Sequence, residues 1–150
     1  METVELRPET LAELRRRLQH PQGPAHLIPL LRKLGVTPSM VRKATGATST
    51  DVVSNWRRER SAPQDDQYQR LDALRTVVSY LLSTNALEDD GLAIALWLNG
   101  YPRGRPFEDS AGRPVMTPLE AICGGRYLAV VDAARGWSKA QDEWLHECAG

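Results

Sequence analysis

The chain predicts an all-α protein, a helix-turn-helix bundle followed by a small helical C-terminal domain. Three observations carry that prediction. Apolar residues recur at three- and four-residue intervals in nearly every segment, helix-start residues precede those segments and glycine or proline follows them, and no stretch alternates with the period of a strand. At 150 residues with 41% apolar side chains, the chain is long enough to bury one core or two small ones.

The elements follow in order. Glu9 to Gln19 carries Leu11, Leu14 and Leu18 at helical spacing, opens near Pro8 and ends at the PQGP break. Its arginines Arg15, Arg16 and Arg17 read as a solvated helix face, with a DNA-backbone contact as the alternative. Ala25 to Leu34 supplies Leu27, Ile28, Leu30, Leu31 and Leu34, and Pro29 is compatible with it only inside a first helical turn. Thr37 is an N-cap with Pro38 at the first helical position, so the next helix runs from Pro38 to about Thr45 and stops at Gly46. Ser49, or Thr48 before it, caps a further helix in which Val53 and Trp56, three apart, face inward. Asp65 to Leu82 repeats Tyr68, Leu71, Leu74, Val77, Val78, Leu81 and Leu82. It covers the open side of the bundle, with its last turn also available to a dimer contact or to docking the second module.

Asn85 to Asp90 is a boundary, which divides the chain into an N-terminal helix and linker (1–24), a bundle (25–84), a second helical domain (85–136) and a tail (137–150). Gly91 to Leu98 forms a helix, and Asn99 to Pro114 forms a long Pro/Gly/Arg-rich loop of a length that is usually functional. Thr117 and Glu120 make a capping box for a helix that Gly124 and Gly125 end, and Arg126 to Ala134 is the last helix. Of the two cysteines, Cys123 reads as a small core residue and Cys148 lies in the tail. Neither stands at metal-ligand spacing from a His or Cys, so no metal or cofactor is expected.

The pair around Gly46 has the pattern of a DNA-reading helix-turn-helix. On the outside of its second helix lie Ser49, Thr50, Asp51, Ser54, Asn55, Arg57 and Arg58, and Arg60, Arg42 and Lys43 stand close by. Such side chains donate to and accept from base edges and phosphates. Between His26 and Arg60 seven basic residues face two acids, Asp51 and Glu59, whereas Ala62 to Gly100 holds two basic and six acidic residues. A chain of zero formal charge thus contains a basic segment followed by an acidic one, and local excess governs attraction to phosphate. The alternative reading is an amphipathic hairpin with a solvated face. Weak binding by one reading helix makes a homodimer on two half-sites the expected form on double-stranded operator DNA.

The second half carries Trp97-Leu98, then Thr117-Pro118-Leu119-Glu120-Ala121-Ile122, Gly124 or Gly125, and Val130-Val131-Asp132. With Val53, Trp56 and Pro63 of the first half, these strings resemble the MbcA/ParS/Xre group of antitoxins, from about Leu27 to Arg135. The turn after Gly46 is one residue longer than is usual there, and the Asn99 to Pro114 loop is also longer. The resemblance implies an antitoxin that neutralises a cognate RES-domain toxin, an NAD-degrading enzyme, and represses its own operon. Partner-binding candidates on that reading are Tyr101, Arg103, Arg105 and Phe107 in the loop and Trp137 and Trp144 in the tail. Tyr101 and Phe107 serve equally well to pin the loop onto its own domain. A stand-alone repressor of phage type, whose second module dimerises or contacts DNA through Arg103, Arg105 and Arg113, is the alternative. A third reading keeps only the interaction role.

Other classes find little support. His20, His26 and His146 are scattered, with no nucleophile in a recognisable motif, and GYPRGR lacks the ending of a phosphate loop, so no enzyme is expected. Asp65-Asp66 and Glu88-Asp89-Asp90 suit solvated helix starts better than a carboxylate pair. The longest apolar run, Gly91 to Leu98, is far below the roughly 20 residues that span a bilayer, and no signal-peptide pattern opens the chain, so a cytoplasmic protein without membrane contact is expected.

Overall fold

The computed structural model describes residues 11–82, 91–100, 107–108 and 114–136. Helices make up the body: α1 (Leu11–Leu18), α2 (Pro24–Lys33), α3 (Pro38–Thr45), α4 (Thr50–Arg57), α5 (Asp65–Leu82), α6 (Gly91–Asn99), α7 (Pro118–Cys123) and α8 (residues 127–136). The protein is all-α in class. Its one extended feature among these residues is a short antiparallel ribbon, β1 (Phe107–Glu108) with β2 (Pro114–Met116), in which Phe107 pairs with Met116. The sequence reads this stretch as loop throughout. Strands of two and three residues are too short to give a period-2 signal.

α5 is the central helix. It packs against α1, α2, α3 and α7, and that surround explains why Leu71, Leu74, Val77, Val78, Leu81 and Leu82 are all buried. Leu81 and Leu82 of its last turn lie in the same buried cluster as Ile94 and Leu98 of α6. Glutamine at the third helical position starts α5, its Oε1 accepting the Gln64 amide at 2.9 Å, and Asp66 pairs with Arg70 one turn on at 3.1 Å. The paired acids at this end are therefore exposed helix-start residues.

α1 docks through Leu14 and Leu18, and two side chains of α5 hold the chain that follows it. Tyr68 donates its hydroxyl to the Gln22 carbonyl at 3.1 Å, and Arg75, only 7% exposed, donates to the Leu18 carbonyl and to Asp72 at 2.8 Å. In α2, Pro29 is an interior residue and not part of the first turn as the sequence reading requires. It withholds one amide from the Ala25 carbonyl, and the helix continues because Leu27, Ile28, Leu30 and Leu31 are anchored in the core around it. Cys123 is half-buried and free, so it is not the enclosed core residue expected from sequence.

One continuous buried cluster runs from Leu14 to Ala134 and includes Val41 and Ala44 of α3 together with Ile94 and Leu98 of α6, Leu119 and Ile122 of α7, and Val130 of α8. α3 packs extensively against α7. From α5, Arg70 donates Nε to the Cys123 carbonyl of α7 at 2.9 Å, and Tyr127 of α8 reaches Gln69 of α5 at 3.4 Å. The Asn85 to Asp90 boundary lies outside the described residues. No helix among those described is long and apolar enough to cross a membrane.

Candidate nucleic-acid interface

The candidate interface is built by two eight-residue helices and the turn between them. Thr37 caps α3 by accepting the Met40 amide at 3.3 Å, and Pro38 follows where an amide would have no helical partner. At the other end Gly46 takes the left-handed conformation, φ 79°, and gives its amide to the Arg42 carbonyl at 3.0 Å. The chain then runs extended to Ser49, whose Oγ accepts the Val52 amide at 3.4 Å and starts α4. Caps at both ends therefore fix the length of the turn, and with it the rotation of α4 about its axis.

That rotation buries Val53 (0% exposed) and Trp56 (3%) against α2 and α3. Thr50, Asp51 and Arg57 are exposed, and Ser54, Asn55 and Ser49 are half-exposed. The polar residues expected to face outward do so. Among the described residues α4 leaves this row of donors and acceptors without a protein partner, save for the capping Ser49.

Past Arg57 the helix ends in a Schellman turn. The Arg60 amide donates to the Asn55 carbonyl at 2.9 Å and the Glu59 amide to the Trp56 carbonyl at 3.2 Å, with Glu59 left-handed at φ 61°. Gly35 and Gly125 occupy the equivalent positions after α2 and α7. Glu59 thus does with a side chain what glycine does elsewhere in the molecule. The turn presents Arg58 and Arg60, both exposed, beside the outer face of α4.

The remaining basic residues divide. Arg42, half-buried, and Lys43 line a groove of about 630 Å³ shared with Gly46, Ala47, Thr117, Glu120 and Cys123, on the side where α3 meets α7. Arg57 instead joins Arg32 and Lys33 of α2 in a cleft of about 410 Å³ whose remaining walls are Ile28, Pro29 and Pro38. Arg32 and Lys33 entered the charge count of the basic segment but not the set of contact residues read from sequence. They meet Arg57 because α2 packs against α4, a relation that no local spacing expresses.

Of the partner-binding candidates, Phe107 lies in β1, and Tyr101, Arg103, Arg105, Trp137 and Trp144 lie outside the described residues, as do Arg113, His146 and Cys148. His20 and His26 are exposed, and no three metal-ligating side chains cluster among the described residues. Comparison with family models, with curated proteins and with solved structures finds no match.

Proposed function

We propose that this chain binds double-stranded DNA through α4 and acts as an autorepressing antitoxin, neutralising a cognate RES-domain toxin with residues of its C-terminal half. The observation that supports the DNA-binding part is the face of α4, where Val53 and Trp56 are buried while Thr50, Asp51, Ser54, Asn55, Arg57 and Arg58 stay accessible beside Arg60. A helix of eight residues, capped by Ser49 and preceded by a second eight-residue helix, is a fitting reader for a major groove. The antitoxin part rests on the resemblance carried by Trp97-Leu98, Thr117 to Ile122 and Val130 to Asp132. A homodimer in the cytoplasm, with each copy on one half-site, completes the reading.

Two measurements test it. Asn55→Ala weakens binding to the DNA upstream of its own gene by roughly 1–3 kcal/mol if Asn55 reads a base, measured by fluorescence anisotropy; unchanged affinity removes α4 from the role of reader. Tagged protein purified from its host should bring with it a stoichiometric protein that is toxic alone and consumes NAD. Removal of Trp137 to Gly150 should then release that toxin and leave DNA binding intact. The packing of α7 onto α3 favours, as a second reading, a stand-alone repressor whose C-terminal helices serve the DNA-binding body itself. Recovery of DNA with no protein partner selects that reading.

A further inference from the structure

We propose that the cleft between the end of α2 and the end of α4, lined by Arg32, Lys33, Pro38 and Arg57, seats a backbone phosphate of the bound DNA, so that α2 grips the strand flanking the one that α4 reads. The inference rests on the DNA-binding reading and extends it to two residues of a helix outside the reading pair. Two adjacent cations of α2 and a third from α4, more than twenty residues further along the chain, converge on one concavity, and no acid lines it. Two neighbouring grooves differ in this respect, one containing Glu120 and the other Asp65. Arg32 and Arg57 are exposed and have no acidic partner among the described residues, so their guanidinium donors remain available to an anion.

The rest of the cleft suits a nucleotide backbone better than a bare ion. Its floor is apolar, formed by Ile28, Pro29 and Pro38, and about 410 Å³ exceeds what one phosphate fills. A deoxyribose can lie against the two prolines while its phosphate meets the guanidinium groups. Prolines carry no amide that the ligand would leave unsatisfied. Arg57 ties the two surfaces together, since it is the last residue of α4 and also a wall of the cleft. Cations in the last turn of a helix also complement its dipole, which would explain Arg32 and Lys33 without any ligand. The test must separate these roles.

Affinity for a mixed-sequence duplex of about 30 base pairs, measured by fluorescence anisotropy across a sodium chloride series, reports phosphate contacts through the slope of log K against log salt. For Arg32→Gln/Lys33→Gln the expected result is a slope smaller by about 1 and about tenfold weaker binding at roughly 0.1 M salt. Arg126→Gln/Arg135→Gln, of equal charge change on α8 and its lead-in, keeps the wild-type slope. Equal slopes for all three proteins, each with unchanged thermal unfolding, overturn the proposal and leave α4 as the DNA contact. Failure of the wild-type chain to bind duplex even at low salt overturns the DNA-binding reading itself, and the proposal with it. Inorganic phosphate titrated into the free protein supplies the other arm. Saturable amide shifts at Arg32 and Arg57, together with an unchanged salt slope, assign the cleft to a small anion and overturn the DNA contact.

Discussion

Glu59 and Gly46 solve the same backbone problem at the C-terminal ends of α4 and α3, and the difference between them can be measured. Each is left-handed, φ 61° and φ 79°, where a side chain costs roughly 1–2 kcal/mol because Cβ crowds a carbonyl oxygen. A Cβ added at Gly46 would meet Cys123 Sγ at 3.5 Å, ordinary contact, so Gly46→Ala has room for its methyl and pays only for backbone. We expect it to lower unfolding free energy by about 1–2 kcal/mol in urea denaturation. A larger loss would mean that the α3–α7 groove has to open as well. Glu59→Gly runs the other way. Relief of the left-handed strain outweighs the extra freedom of glycine in the unfolded chain, about 0.4–1 kcal/mol, so a net gain of about 0.5–1 kcal/mol and a rise in Tm of a few degrees are expected. Removal of the one acid among Arg57, Arg58 and Arg60 should also strengthen DNA binding. Lost stability in that variant would show that the exposed Glu59 carboxylate makes a favourable contribution to the turn.

Docking of whole elements depends on groups whose partners are distant in sequence. Arg75 is the clearest case: its stem is buried in α5, and its guanidinium closes the end of α1 at the Leu18 carbonyl. Arg75→Met keeps most of the packing volume but leaves that buried carbonyl without its donor, at a cost of about 1–3 kcal/mol. Hydrogen exchange should show amides 14–18 of α1 losing protection before those of α3 and α4; uniform loss would mean that α1 does not open independently. This contrast also separates what the sequence reveals from what it hides. Thr37, Ser49, Thr117 with Glu120, and the stop at Gly46 are all legible, because a cap satisfies amides and carbonyls within four residues of itself. So is the buried pair Val53 and Trp56, which fixes the outer face of α4. Pro29 inside α2, the burial of Arg75, the β1–β2 pairing and the meeting of Arg32 with Arg57 depend on tertiary partners, and no window of neighbours contains them.

At the scale of the molecule, the helices on either side of residues 83–90 share one core, with Val41 and Ala44 in the same buried cluster as Leu119 and Ile122. α7 has only six residues and is stable by virtue of its capping box and this packing, since a helix so short is not stable alone. In return it packs on α3, the helix that also supports α4. Stability of the reading pair should therefore depend on a residue that is distant from it in sequence. Ile122 is fully buried, and Ile122→Ala removes its methylene and methyl groups at an expected cost of about 2–5 kcal/mol, a large share of the 5–15 kcal/mol typical of a folded domain. If the core is a single cooperative unit, the amides of Val53 and Trp56 lose exchange protection by the same free energy as those of α7 and α8, and DNA affinity falls only as the unfolded fraction grows. If protection in α4 stays at its wild-type value while α7 and α8 open, the two halves unfold independently and the α3–α7 contact is a docking surface. That outcome would also let a partner displace the C-terminal helices without unfolding α4, whereas a shared unfolding free energy means that whatever loosens α7 loosens α4, the proposed DNA reader, with it.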